Sequence, residues 1–556
     1  MRTLYFHYLP SDFEDLKSLE PDRTTLFGAN VYGSEVFQAL LRHSSYDRIL
    51  LPETPRPPYG DLRDSALFAA NSHRIQTVAE HEMAALHREH VILVTPSINI
   101  DELVHIRSVM EHTATPIMGV IHSLNYTSQL KWVLRLVFSA LEPFDVLSCS
   151  SVAGQHALRK MIQLVEDAVA LSEPSASLLR IKTPIIPLGL ETERFRCRDR
   201  ENARRRLSIG ENQCVVLYFG RFSPTSKADL LPLITAFGEL VRDSQEVILA
   251  LAGDDTEWYV TEAIRGLAQE LGCASRLMLI PNPSRAVKDQ LYIASDVFVS
   301  PVDSLQETFG ITIIEAMSAG LPVVASDWDG YRDTVIHEQT GFLIPTLLPG
   351  YPDRFDEIRG TGNMRTADLL AATTTVSIPA LISALRALVV NPDLRRQFGR
   401  AGERRAREVY DWAVIIKQYE ELWQHLKEEA QHAGKDRPTV GRSLNSYSYR
   451  GVFGHYATKN EDAQMEVFIS DIGRQWIRRP DLLSHISNPK SLFSPEYFRR
   501  ALTVALDGGA STVADLASCI RSHEDHTDTI RELAHVWRLL KYGLLETADL
   551  RTDLHK

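Results

Sequence analysis

Two carboxylates and two cations in this sequence stand at chain turns, where they could grip a charged ligand. Glu307 and Glu315 are separated by seven residues. Between them, Phe309, Gly310 and Ile311 read as a loop opening into a helix. Gly310 permits a tight turn and a close approach of ligand to backbone. The free N–H groups at a helix start suit an anion. Ile311 to Ala319 can form a short helix, which Gly320 stops and Pro322 keeps from resuming. A carboxylate one turn further along suits neutral hydroxyl donors. Arg221 and Lys227 bracket a second loop, Gly220 to Lys227, that follows an apolar run. Two cations there can neutralise a diphosphate, the arginine fork gripping two oxygens at once. The four residues read as a site for a ligand carrying phosphate and hydroxyls, such as a nucleotide sugar.

Strands must carry these loops, and two series of short apolar runs supply them. Arg2–Tyr8, Arg48–Leu51, Val91–Thr95, Pro116–Ile121, Val146–Cys149 and Thr183–Pro187 form the first. Ser34–Leu41, Ser65–His90 and Ser151–Leu171 are its expected helices. Cys214–Phe219, Val247–Ala252, Leu277–Ile280, Val297–Ser300 and Leu321–Ser326 form the second, with a helix at Pro232–Arg242. Alternating strands and helices predict two separate parallel sheets, each covered on both faces. In the first series, the loop Phe27 to Glu35 precedes an amphipathic helix, and its Gly28 and Gly33 suit close approach to a phosphate. His122 follows an apolar run at the strand edge where open α/β sheets bind ligands. His73, His81, His87 and His90, on the expected helix, lack the spaced pair plus acid of a zinc site. Leu130 to Phe138 mixes basic and aromatic residues. It reads as an amphipathic helix packing its apolar face inward, with a surface for a lipid or polymer as the other reading.

The remaining stretches are read by composition. Residues 191–204 are highly charged and read as an exposed linker, and 346–376 as a loop-like insertion. Pro379–Tyr410 and the run from Asp411 onward are helical. Gly434–Tyr449 is a polar linker. Residues 436–556 read as a separate, mostly helical appendage, its end weakly similar to a winged helix and equally compatible with a packing or dimerisation module. The net charge of −12 argues against broad nucleic-acid binding. The five cysteines are scattered, without zinc-ligand or disulfide-framework spacing, and predict reduced thiols and a cytoplasmic protein. No run reaches the ~18–20 apolar residues of a membrane span, which leaves room only for peripheral membrane contact.

The chain resembles the retaining nucleotide-sugar glycosyltransferases of family 4 (glycosyl transferases group 1), over roughly 1–430 and most strongly over 214–345. The resemblance rests on Gly220-Arg221 with Lys227, on Glu307 and Glu315 around Phe309-Gly310, and on the run from Glu315 to Ser326. Leu291 to Pro301, Gly33-Ser34-Glu35, His122 and Asp411-Trp412 add to it. It implies a GT-B fold, α/β in class, with two Rossmann-like domains facing a cleft. The implied division is an acceptor domain at 1–190, a donor domain at 205–410, a returning helix at 411–432 and the accessory module at 436–556. It further implies that Arg221 and Lys227 hold the diphosphate of a UDP- or GDP-linked sugar. Glu315 binds the ribose hydroxyls, Glu307 the sugar hydroxyls, and the amides of Phe309, Gly310 and Ile311 the phosphate or sugar. Gly33 lines the phosphate side, and His122 contacts the sugar or positions the acceptor. After Ser326 the sequence departs from the family pattern, so Trp328, Gly330 and Tyr331 are expected to shape an unusual acceptor side.

The expected reaction is a metal-independent, retaining transfer to the hydroxyl of a glycan, lipid or small molecule, with no cofactor beyond the donor. Cations and helix-end amides stabilise charge developing on the leaving diphosphate. No carboxylate pair with separate acid and nucleophile roles stands out, unlike a hydrolase. A GT-B epimerase or phosphorylase, and a non-catalytic sugar-nucleotide scaffold, are the other readings. A homo-oligomer could form through the C-terminal module.

Overall fold

A computed structural model of the chain describes residues 2–7, 28–53, 65–86, 91–110, 115–125, 127–137, 139, 141–169, 181–195, 199–243, 246–351, 357–359, 365–433, 446–487, 493–508, 512–520 and 529–548. The first six strands are β1 (Thr3–Phe6), β2 (Arg48–Pro52), β3 (Ile75–Val78), β4 (Val91–Val94), β5 (Ile117–Val120) and β6 (Val146–Ser148). They form one parallel sheet in the order β3-β2-β1-β4-β5-β6. β1, β4, β5 and β6 are buried along their whole length, which is why they read as unbroken apolar runs rather than alternating ones. A second set comprises β7 (Cys214–Phe219), β8 (Val247–Gly253), β9 (Leu277–Pro281), β10 (Val297–Ser300), β11 (Val323–Ser326) and β12 (Gly341–Ile344). Its order, β12-β11-β10-β7-β8-β9, is the same Rossmann pattern repeated.

Four expectations are corrected. Ser65–His90 is not one helix: it holds a short helix Ala66–Asn71, the edge strand β3 and a 3-10 segment Glu80–Leu86. The β-branched Ile75, Thr77 and Val78 favour the strand, and Ser72 to Arg74 make the turn before it. His73 lies in that turn, and His87 and His90 fall outside the described residues. Thr183–Pro187 forms only isolated bridges beside β6, since Pro184 and Pro187 have no N–H for a ladder. The insertion at 346–376 contains a strand Thr346–Leu348, paired antiparallel with Thr375–Val376, and a helix Arg365–Thr373. The charged stretch at 191–204 is not an exposed linker. Arg204 is buried, donating to the carbonyls of Ala294, Gly210 and Gln213.

Contacts divide the chain into two units. The first comprises Met1–Thr192, Arg359–Gly362 and Arg407–Ser446, the second Glu193–Ile358, Asn363–Ala406 and Tyr447–Lys556. In the first unit, the helix Trp412–His432 starts at Asp411, whose carboxylate accepts from the Ala413 N–H. It buries Trp412, Ile415, Ile416, Tyr419, Trp423, Leu426 and Ala430, the spacing of one apolar face. Tyr419 shares a 2.8 Å hydrogen bond with Tyr32, and Trp423 stacks on Tyr419 beside Met118. A Cβ at Gly189 would lie 2.3 Å from the Trp412 ring, so only glycine fits there. The helix Thr127–Val137 buries Leu130, Trp132, Val133, Leu136 and Val137 and exposes Lys131 and Arg135, the inward-packing reading of that segment.

The C-terminal region supplies the helices Asp471–Trp476, Pro495–Leu506, Val513–Ile520 and Thr529–Lys541 to the second unit. Among the described residues no helix is long and apolar enough to cross a membrane. Cys149, Cys214, Cys273 and Cys519 are free thiols, and Cys197 falls outside the described residues. Trp423→Ala is expected to destabilise the first unit by about 3–5 kcal/mol, as removal of a fully buried large aromatic does. Urea unfolding followed with a probe in that unit checks this.

Candidate nucleotide-sugar site

The order of the second sheet reverses between β7 and β10, which pair in parallel with Val216 beside Val297 and Leu217 beside Phe298. Ligands of open α/β sheets bind outside the carboxyl ends of strands at such a reversal. The loop Gly220 to Lys227 leaves β7 there, and the chain from β10 runs to Glu307. The first loop is closely built. A Cβ at Gly253 would lie 1.7 Å from the Gly220 carbonyl oxygen, so glycine is required for β7 and β8 to end side by side. Phe222 N–H donates to the Asp254 carbonyl at 2.7 Å, and the Tyr218 hydroxyl to the Arg221 carbonyl at 3.0 Å. The Arg221 guanidinium reaches the Ser226 carbonyl at 3.3 Å, so it arches over its own loop.

Lys227 and Glu307 form an ion pair, both side chains largely buried. The Tyr331 hydroxyl lies 3.5 Å from each of them and shares a 2.8 Å hydrogen bond with Ser300. The other Glu307 oxygen accepts the Phe309 N–H at 3.4 Å. Burial pushes the Glu307 carboxyl up, but the Lys227 ammonium, the Phe309 amide and Arg221 outweigh it and hold it below the usual carboxylate range. Gly310 precedes the helix Ile311–Ser318 with φ of 90°. A Cβ there would meet the Tyr331 ring at 2.2 Å. The turn that starts the helix thus requires glycine twice over, for backbone and for space.

Glu315 is buried on that helix. Lys288 donates to one oxygen at 2.6 Å, the Tyr292 hydroxyl to the other at 3.0 Å, and Arg194 lies 3.9 Å away. A carboxylate has about four lone-pair positions, so two bonds leave capacity for ligand hydroxyls. Lys288, Tyr292 and Arg194 were not anticipated as site residues. The signal was the four-residue spacing of Lys288 and Tyr292, which puts both on one face of the helix Arg285–Ala294.

The two candidates in the first unit stand differently. Gly33 is not in a loop: it lies within the helix Gly28–His43, and Phe27 falls outside the described residues. A glycine inside a helix costs about 1 kcal/mol relative to alanine. Burial of the neighbouring Tyr32 against His122 (ring centroids 5.3 Å), Trp412 and Tyr419 offsets it. His122 follows β5, and its Nε2 lies 2.7 Å from the Pro96 carbonyl oxygen. A carbonyl only accepts, so Nε2 carries the proton. Burial pulls the ring below its ordinary pKa against that hydrogen bond; the neutral form therefore presents Nδ1 as an acceptor.

Trp328, Gly330 and Tyr331 do not form an open face. Trp328 is fully buried against Tyr456 and donates from Nε1 to the Ser304 carbonyl at 2.9 Å. A Cβ at Gly330 would lie 2.3 Å from the Thr308 carbonyl oxygen. The unusual sequence after Ser326 packs the loop inward, and Tyr331 serves the Lys227–Glu307 pair. Among the described residues, no group of three His, Cys, Asp or Glu side chains could hold a metal ion.

Residues 199–347 match the family described as glycosyl transferases group 1. The D-inositol 3-phosphate glycosyltransferase of Geodermatophilus obscurus is 34% identical over 167 residues, 29% of this chain and 37% of that protein. Its counterpart in Nocardia farcinica is 32% identical over 171 residues, 30% of this chain and 37% of the relative. The chain thus spans little more than a third of the length of these curated relatives. Among solved structures, Anabaena Alr3699/HepE in complex with UDP is 16% identical with a TM-score of 0.52, covering 76% of this chain and 100% of that one. Sucrose-phosphate synthase from Thermosynechococcus elongatus is 19% identical with a TM-score of 0.51, covering 77% and 100%. These likenesses show the fold, two Rossmann-like units of the GT-B type with a mostly helical C-terminal region.

The ion pair at the sheet reversal makes a pH prediction. The Glu307 pKa is lower folded than unfolded, so its contribution is present above the unfolded glutamate value of about 4.3 and fades as pH falls below it. Glu307→Gln leaves Lys227 buried without its counter-charge and is expected to cost the second unit about 1–3 kcal/mol at pH 7. The gap from wild type should close towards pH 3. Urea midpoints at a series of pH values check this, and a gap independent of pH is the contrary result.

Proposed function

We propose that the protein is a retaining glycosyltransferase whose second unit binds a nucleoside-diphosphate sugar at the ends of β7 and β10. The observation that carries this reading is the meeting of Lys227 and Glu307 at the sheet reversal, beside an amide-rich helix start. In this reading the diphosphate takes Lys227 and Arg221 as its counter-charges. The sugar hydroxyls then donate to Glu307 in place of the ammonium, with the Phe309, Gly310 and Ile311 amides beside them. Glu315, already oriented by Lys288 and Tyr292, accepts from the ribose hydroxyls. His122 accepts through Nδ1 from a sugar or acceptor hydroxyl. For Gly33, a buried helical position supports packing of the Tyr32 segment more directly than a phosphate contact.

The reaction balances without a protein nucleophile. The bond from the anomeric carbon to the diphosphate oxygen breaks, and a bond from that carbon to the acceptor oxygen forms on the same face. The acceptor proton passes to the departing phosphate. Arg221 and Lys227 stabilise the negative charge that grows on the phosphate oxygens, where fixed charges act most strongly in a buried site. With two protein cations in that role, the transfer is expected to need no metal. The acceptor is a hydroxyl compound, the base of the donor is uracil or guanine, and a cytoplasmic location belongs to the same reading.

The purified protein should release nucleoside diphosphate from a UDP- or GDP-sugar, at an unchanged rate when a divalent-metal chelator is added. Lys227→Ala and Glu315→Ala should each lower kcat/KM by about 10²–10³, the scale on which removal of one preorganised charge-stabilising group acts. Full activity in both variants would sink the site assignment, and an inverted anomeric centre in the product would sink retention.

A further inference from the structure

The helix Thr529–Lys541 brings charged residues into the interior of the second unit. Arg538, Lys541 and Tyr542 are buried, as are the carboxylates they meet, Asp229 and Asp303. Lys541 pairs with Asp303 and donates to the Ala371 carbonyl at 2.6 Å. The Tyr542 hydroxyl donates to Asp229. Arg538 lies 3.7 Å from the same carboxylate, 3.3 Å from the Tyr542 hydroxyl, and donates to the carbonyls of Ile486 and Ala372 at 2.7 and 3.0 Å. The two carboxylates are joined in turn, the Asp229 N–H reaching Asp303 at 3.4 Å.

The position of these carboxylates gives the network its meaning. Asp229 stands two residues after Lys227, and Asp303 between Ser300 and Glu307. Each is the buried anchor of one of the two loops that meet in the Lys227–Glu307 pair. Burying charge is an inefficient way to gain stability, because desolvation consumes most of the attraction between the ions. Fixing a geometry is what such a network does well. Burial pushes the Asp303 carboxyl up to about 7, and the Lys541 ammonium acts against it by favouring the charged form.

The same region makes a second contact with the site's surroundings. Thr458 donates to Asp327 at 2.5 Å, Arg332 donates to the His455 carbonyl, and the Asp329 N–H donates to the Tyr456 carbonyl at 3.3 Å. These hold the loop that carries Tyr331 to Lys227 and Glu307. Residues from the C-terminal region thus secure three loops: those after β7 and β10 through Asp229 and Asp303, and that after β11 directly.

We propose that Lys541, Arg538 and Tyr542 are positioning residues for the diphosphate subsite, acting through Asp303 and Asp229 to set the spacing of Lys227 and Glu307. This rests on the donor-site reading above. The C-terminal region is then part of the donor site, and the loops cannot reach their working geometry without it.

The test uses the full chain and calorimetric titration with UDP, GDP, uridine and guanosine. Wild type should bind one diphosphate much more tightly than its nucleoside. In Asp303→Asn with Lys541→Met, which removes both charges together, this diphosphate advantage should fall about tenfold, equivalent to about 1.4 kcal/mol. Nucleoside affinity should stay at the wild-type level. Tyr542→Phe, a smaller change in the same network, should reduce the advantage about threefold. A merely structural network would leave the diphosphate-to-nucleoside ratio unchanged in any variant that folds, and that result overturns the proposal. If the double variant does not fold, Tyr542→Phe decides alone. Lys227→Ala serves as the control: if wild type binds neither diphosphate, or Lys227→Ala binds it as wild type does, the donor-site reading itself fails.

Discussion

Lys227 and Glu307 meet because β7 and β10 are neighbours although 77 residues lie between the end of β7 at Phe219 and the start of β10 at Val297. Parallel strands send their chains out at the same edge, so the cation after one and the carboxylate after the other converge without any special folding of the loops. Much of the nearby sequence follows from keeping that meeting tight. Gly253 lets β7 and β8 end together, Gly310 turns the chain into a helix beneath Tyr331, and Gly330 lets that tyrosine's loop lie on Thr308. The ion pair in turn balances the charge that each loop brings. A site kept ready by its own counter-ions avoids leaving a bare ammonium in a dry pocket.

The fold was legible because the strands of both sheets are short apolar runs separated by helical stretches, and their number and spacing survive in one dimension. Misreadings arose where a strand is not apolar. β3 is an edge strand with Gln76 and Thr77 exposed, so it carries no apolar run and merged with the helical pattern around it. Gly33 misled for the opposite reason. Glycines next to polar residues suggest a loop, but the burial of Tyr32 decides the local structure, and its partners lie far away in sequence at His122 and Tyr419.

In the candidate site, the residues that the sequence offers are those carried by local motifs: Arg221 with Lys227, and Glu307 with Glu315. Their partners were not legible, because Lys288 with Tyr292, Arg194 and Tyr331 come from three other segments and are united only by the fold. The charged stretch at 191–204 shows the same limit. Composition suggested a solvated linker, yet the buried Arg204 donates to backbone carbonyls and Arg194 approaches Glu315. Charge alone does not distinguish a residue facing water from one facing a buried acceptor.

The order in which the chain visits its two units bears on how it can be made. Apart from the short stretch Arg359–Gly362, it leaves the first after Thr192, returns at Arg407, and leaves again after Ser446. The helix Trp412–His432, which covers Tyr32 and Met118, is therefore synthesised long after the sheet it completes. The second unit is likewise open until Lys541 and Tyr542 have emerged. Domains usually fold in turn as a chain leaves the ribosome. Here neither unit can be finished before the other is well begun, so an interrupted chain holds two unsealed apolar cores at once. Chaperones would meet both cores exposed together on one nascent chain.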